Sequence, residues 1–184
     1  MLRGAFLGLA VLAMISGCVQ PIYSPDKPAP KSSSAVAMPP DRVKLLVGDA
    51  KALNELIASH KGQVVFVDCW ATWCGPCVEG FPHTVALAKK YRERGLTTIT
   101  VSFDQLDDEP KVREFLARQE ADFENVLSKH NGVNQRAAND FDVEALPQYR
   151  VYDRQGKLRE KWEGKSDEIE REIERKIEDL LAAK

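Results

Sequence analysis

Cys74 and Cys77, spaced C-x-x-C in Trp73-Cys74-Gly75-Pro76-Cys77, are the residues of this chain whose types and spacing most directly imply chemistry. They follow an apolar run at residues 64–67 that ends in Asp68-Cys69-Trp70 and reads as a buried strand; the residues after Cys77 read as a helix. The pair is thus placed at a strand-to-helix turn, with Cys74 at the helix N-terminus. Unpaired backbone N–H groups and the helix dipole favour negative charge there, so the position predicts a lowered thiol pKa and makes Cys74 the attacking sulfur. Cys77, one turn further in, is close enough to form a disulfide with Cys74 and to resolve a mixed disulfide with a substrate. Half of a zinc site is the competing reading. A structural zinc takes four Cys or His ligands, and here no second pair accompanies the first, since His60, His83 and His130 are scattered.

Val67-Asp68-Cys69-Trp70-Ala71-Thr72-Trp73-Cys74-Gly75-Pro76-Cys77 resembles the active-site strand and turn of the thioredoxin family. Pro82 is similar to that family's helix-kinking proline. Asp140-Phe141-Asp142-Val143, then Leu146-Pro147 and residues 149–156, resemble its cis-proline loop and following hairpin. The resemblance covers residues 43–184. Gln148 departs from it, because thioredoxins usually carry Thr after the cis-proline; the departure bears on the substrate groove. Residues 104–139 form a longer stretch than the smallest thioredoxins have. By adding a helix and a strand, that stretch resembles the TlpA/ResA-like branch of extracytoplasmic thioredoxins.

The resemblance implies roles residue by residue. Asp68 becomes a buried acid behind the disulfide, its pKa raised by burial, that takes the Cys77 proton. Pro147 exposes backbone groups beside Cys74 for an extended client segment, with Trp73, Gly75, Pro76 and Leu146 lining the same site. Trp73 reads as an apolar wall beside the sulfurs, and Asp104 as an acid near the active site or a loop cap. His83 reads as a helix-surface residue. The implied activity is thiol–disulfide exchange with disulfide-containing client proteins, in the reducing direction, as Gly75-Pro76 and Leu146 resemble reducing members. No cofactor and no metal are implied, and a monomer is expected. Alternatives are a copper carrier using Cys74, Cys77 and His130, or a redox-inert peptide binder.

The N-terminus predicts the address. Arg3 precedes an apolar stretch at residues 5–15 that meets Ser16-Gly17-Cys18, too short to span a bilayer comfortably and typical of a secretory signal. Ile15-Ser16-Gly17-Cys18 resembles the bacterial lipobox, so residues 1–17 read as a signal peptide and Cys18 as the lipidated residue. Acyl chains on Cys18 would supply stable membrane anchoring. Val19 after it, where the sorting rule carried by resemblance wants Asp for inner-membrane retention, favours the outer membrane of a cell envelope that has one. A reductase in an oxidising compartment needs an electron donor, expected to be a membrane protein. Residues 18–40 hold six of the ten prolines and Ser32-Ser33-Ser34, the composition of a disordered tether reaching up to roughly 70 Å. Residues 41–184 are the size of one domain with its own core. A net charge of −2 without a basic stripe implies no nucleic-acid partner. Cys69 is the cysteine left over, and strand alternation makes it an inert buried thiol on the face opposite Asp68 and Trp70.

The elements needed to position these groups alternate. Strands are expected at residues 43–47, 63–68, 96–102, 123–127, 148–153 and 157–162. Helices are expected at 49–60, 74–92 (bent at Pro82), 109–119, 133–141 and 166–183. Residues 154–156 form a hairpin turn. Ile169, Ile173, Ile177 and Leu180 give the last helix an apolar stripe needed to cover the sheet, and Glu172 with Lys176 is spaced for an i,i+4 pair. The fold class is α/β: a thioredoxin fold with a mainly parallel central sheet, a C-terminal antiparallel hairpin and helices on both faces.

Overall fold

A computed structural model describes residues 38–183. The expected signal segment, Cys18 and the tether up to residue 37 lie outside the described residues. Among those described, no helix is long and apolar enough to cross a membrane.

Six strands form one mixed sheet: β1 (Leu45–Gly48), β2 (Val64–Trp70), β3 (Leu96–Ser102), β4 (Glu124–Ser128), β5 (Gln148–Tyr152) and β6 (Leu158–Glu163). Their order is β1-β4-β3-β2-β5-β6. The first four run parallel, and β5 and β6 are antiparallel additions. This is the expected thioredoxin-like α/β fold. The added strand β4 lies inside the sheet, between β1 and β3.

β2 is central and buried along its whole length, which explains its nearly continuous apolar sequence. It runs two residues beyond the expected end at Asp68, because pairing with β3 continues through Trp70↔Ser102. Side-chain alternation divides it between two cores. Val65, Val67 and Cys69 pack against α1 (Ala50–Ser59) and α4 (Gln135–Phe141). Trp70 packs against α2 (Gly75–Tyr91) and α3 (Glu109–Arg118), whereas Val64 and Phe66 meet α2 and α5 (Asp167–Ala182). Cys69 is fully buried opposite Trp70, and burial pushes its thiol up to about 12. At neutral pH it is therefore an unreactive thiol.

Local chemistry sets the helix starts. Asp49 accepts from Ala52 N–H, Asn134 from Arg136 and Ala137 N–H, and Ser166 from Ile169 N–H, each capping its helix. Ile173 and Ile177 of α5 are fully buried on the sheet, as the stripe requires. The expected Glu172–Lys176 pair does not form. Trp162 donates to Glu172 at 3.0 Å and Lys176 pairs with Glu160 at 3.2 Å, so β6 offers both side chains partners that intrahelical spacing could not reveal. His83 is half-buried rather than on the surface, with Nδ1 4.0 Å from Glu170 of α5. On the α3 side, Met38 packs against the core that contains Trp70, and Pro40–Arg42 makes one 3-10 turn.

Candidate active site

Beyond Trp70 the chain leaves the sheet and turns into α2. Asp104, at the end of β3, holds that turn. Fully buried, it accepts from Thr72 N–H at 3.0 Å, from Thr72 Oγ1 at 2.5 Å and from Ser102 Oγ at 2.6 Å. Its carbonyl receives Gly132 N–H at 3.1 Å, and Asn131 accepts from Leu106 N–H at 2.9 Å. The segments that leave β2, β3 and β4 are thus tied together. Asp104, read from the sequence as an acid near the active site or a loop cap, binds the backbone and the side chain of Thr72 in the turn before the cysteines.

Cys74 stands at the N-cap of α2 with extended backbone, its N–H bonded to Ala71 O at 3.2 Å. Gly75 and Pro76 open the helix, Pro at a position that has no intrahelical N–H to lose. Cys74 and Cys77 are joined by a disulfide, S–S 1.98 Å and Cα–Cα 5.2 Å. Cys74 is 6% exposed against 2% for Cys77, so the N-terminal cysteine is the more accessible residue of the pair. Both pack in the cluster of Trp70, Phe81 and Phe115, whose rings lie 4.7 to 5.0 Å apart, with Leu146 on its edge. Pro82 lies within α2, where its missing N–H leaves the Val78 carbonyl without a helical donor.

Around the disulfide the surface is open. Trp73 is 60% exposed, and a side chain at Gly75 would meet nothing within 4 Å. Neither sterics nor a positive φ requires glycine at position 75. Leu146–Pro147 is a cis peptide. The Pro147 carbonyl accepts from Gly164 N–H at 2.8 Å, which engages one of its two lone pairs. Gln148 is buried: it accepts from Arg150 Nε at 2.8 Å and donates to Glu163 at 3.0 Å. Arg150 in turn donates to Phe141 O and Asp142 O, which binds the loop before Pro147 to the sheet. This network occupies the place of the usual Thr, on the face away from Asp68.

Asp68 is 2% exposed and faces α2. Thr84 donates to its Oδ2 at 2.6 Å, and Oδ1 has no partner. Burial raises its pKa from 3.8 to about 7, against a smaller lowering by the Thr84 hydroxyl. A carboxyl poised near neutrality, in the strand that leads into a thiol pair, can exchange a proton in either direction at working pH.

Of the expected site residues, Cys74, Cys77 and Leu146 share one packed cluster, Trp73, Gly75 and Pro76 surround its open side, and Pro147 lies beside Leu146. Cys18 lies outside the described residues. His130, the candidate copper ligand, is engaged by Asp140 at 2.8 Å, and among the described residues no group of three His, Cys, Asp or Glu side chains converges. Thr72, Thr84, Ser102 and Tyr149 went unnoticed in the sequence. Thr84 alone left a trace, as a hydroxyl among the buried positions of an amphipathic helix.

Known proteins resemble the chain. Thiol-disulfide oxidoreductase ResA of one Bacillus cereus strain is 30% identical over 116 residues, 63% of this chain and 64% of that protein, so the match spans less than two thirds of the relative. ResA of Geobacillus kaustophilus is 27% identical over 145 residues, 77% of this chain and 79% of the relative. Among solved structures, a thiol-disulfide isomerase from Corynebacterium glutamicum superposes with a TM-score of 0.58 at 19% identity, covering 71% of this chain and 86% of the other. A thiol:disulfide interchange protein of the thioredoxin family from Chlorobium tepidum TLS gives 0.55 at 21%, covering 68% and 84%. At such identities the structures share a fold. The model of the Redoxin family matches residues 26–179, through both the cysteine turn and the Leu146–Pro147 loop, and the chain belongs to that family.

Proposed function

We propose that this chain is a lipid-anchored, extracytoplasmic thiol–disulfide oxidoreductase that reduces disulfides of client proteins by dithiol exchange. The carrying observation is the Cys74–Cys77 disulfide at the start of α2, with a buried Asp68 carboxyl near neutrality in the strand that leads into it. In the reduced protein the Cys74 thiolate, favoured by the helix N-terminus, attacks one sulfur of the client disulfide. A Cys74–client bond forms, and the other client sulfur leaves as a thiolate and is protonated from water. Cys77 then gives its proton to Asp68 and attacks Cys74. The Cys74–Cys77 bond forms, the client sulfur leaves reduced, and two electrons have passed to the client. A membrane-bound thiol donor restores the dithiol by the reverse sequence. Trp73, Gly75, Pro76, Leu146 and Pro147 present the client segment. Resemblance to ResA-named relatives supports the reading, and the Ile15-Ser16-Gly17-Cys18 sequence supports the anchor.

Cys77→Ser should trap mixed disulfides with clients through Cys74, and Cys74→Ser should trap none. Equal trapping by the two variants, or trapping by Cys74→Ser alone, would reverse or abolish the assignment. A redox titration of the pair tests direction: a midpoint nearer thioredoxin's value of about −270 mV than DsbA's of about −120 mV supports a reductase.

A further inference from the structure

An acid that takes the Cys77 proton also exchanges it with solvent whenever reduction does not return it, and Asp68 is walled in. Thr84 faces it from α2, and Thr100 of β3 and Tyr149 of β5 stand opposite it in register. Oδ1 meets no donor at all. One wall is thin. Gly80 lies one turn before Thr84 on the same face of α2, and a Cβ there would come within 3.1 Å of the Tyr149 hydroxyl and 3.3 Å of Lys165 Cδ. The missing side chain therefore leaves a gap through which the phenol reaches the helix, beneath the stem of the half-exposed Lys165.

The Tyr149 ring is buried and stacked on Phe66, centroids 6.0 Å apart and planes 15° apart, so the position of its hydroxyl is set by packing. Glu170 of α5 adds negative charge in the neighbourhood of the phenol, and His83 of α2 stands 4.0 Å from it. Burial first, then the charges of Asp68 and Glu170, push the phenol pKa upward. Throughout the neutral range Tyr149 thus keeps its O–H and can donate one proton while accepting another.

We propose that the Tyr149 hydroxyl, seated over Gly80 and covered by Lys165, is the proton exit of Asp68. The Asp68 carboxyl passes its proton to the oxygen of Tyr149, its cross-strand neighbour, as the phenol O–H bond gives its own proton to solvent beside Lys165. Carboxylate, neutral phenol and hydronium result, so charge balances. Gly80 is then a positioning residue, because any side chain there displaces the phenol. The inference rests on the reading of Asp68 as acceptor of the Cys77 proton, with Cys77, His83, Lys165 and Glu170 the other titratable groups around the path.

The test is an infrared pH jump on the full chain in its oxidised form, following the Asp68 carboxyl band, which Asp68→Asn identifies. Tyr149→Phe keeps the stacked ring, and its relaxation should slow about tenfold, a modest share of what a positioned proton-transfer group contributes. Lys165→Ala uncovers the gap and should quicken relaxation. Wild-type relaxation in Tyr149→Phe overturns the exit, and so does slowing in both variants, which marks a general disturbance of packing. Failure of the underlying reading shows elsewhere: Asp68→Asn would then resolve mixed disulfides at the wild-type rate, whatever the relaxation does.

Discussion

Asp68 is held against the ordinary preference of a carboxyl for water, and this has a thermodynamic as well as a chemical consequence. Its folded-state pKa, about 7, lies above the ordinary 3.8. Between those values the native protein keeps a proton that the unfolded chain has lost, so stability falls as pH rises through this window and levels off above it. The full penalty is about 4 kcal/mol at most, from roughly three pKa units at 1.36 kcal/mol each. Asp68→Asn removes the ionisation. Relative to wild type it should become more stable by up to about 4 kcal/mol between pH 4 and pH 8. Urea denaturation of the oxidised proteins at both pH values measures this, and a difference independent of pH would refute the raised pKa. The same variant should slow resolution of a model mixed disulfide in stopped flow, because an amide cannot take the Cys77 proton.

At the scale of elements, the strand-to-helix turn is fixed from a different strand. Thr72 and Asp104 are 32 residues apart, yet two bonds from Thr72 and one from Ser102 converge on that one buried carboxylate. Asp104→Ala leaves all three donors without their acceptor and should cost about 2–4 kcal/mol, as expected for breaking a buried hydrogen-bond network. Asp104→Asn keeps one carbonyl acceptor and should cost less. Denaturant midpoints of the two variants give the order, and equal costs would mean that the carboxylate's acceptors are not what holds the turn. The turn also explains why Cys74 stands at the N-cap: Thr72 pinned to β3 sets the chain's angle of entry into α2.

For the whole molecule, the helix stripe of α5 closes the sheet over Val64, Phe66 and Tyr149, so its apolar face is spent inside the domain. The proposed anchor belongs to this scale. Cells expressing wild type and Cys18→Ala should differ on fractionation, wild type pelleting with membranes and the variant soluble in the envelope. Mass analysis of the N-terminal peptide should show acyl chains on wild type only, and their absence would remove the anchor. With Val19 beside Cys18, the outer-membrane fraction is the expected place, and recovery in the inner membrane would reject that preference.

Spacing along the chain determined the cysteine pair, the strand before it, the helix after it and the α/β order, because each depends on neighbours within a turn or a strand of one another. Cys74 at a helix N-cap and Ile173 and Ile177 on the sheet were legible for that reason. Tertiary structure alone decided which groups meet across distance. Thr84 reaches Asp68 over 16 residues, Thr72 reaches Asp104 over 32, and Tyr149 of β5 meets Gly80 of α2. It also drew Glu172 and Lys176 away from each other and placed β4 inside the sheet. No local period records such pairings. They follow from the two faces of one strand being covered by different helices, and from buried polar groups taking whatever partner that packing brings within reach.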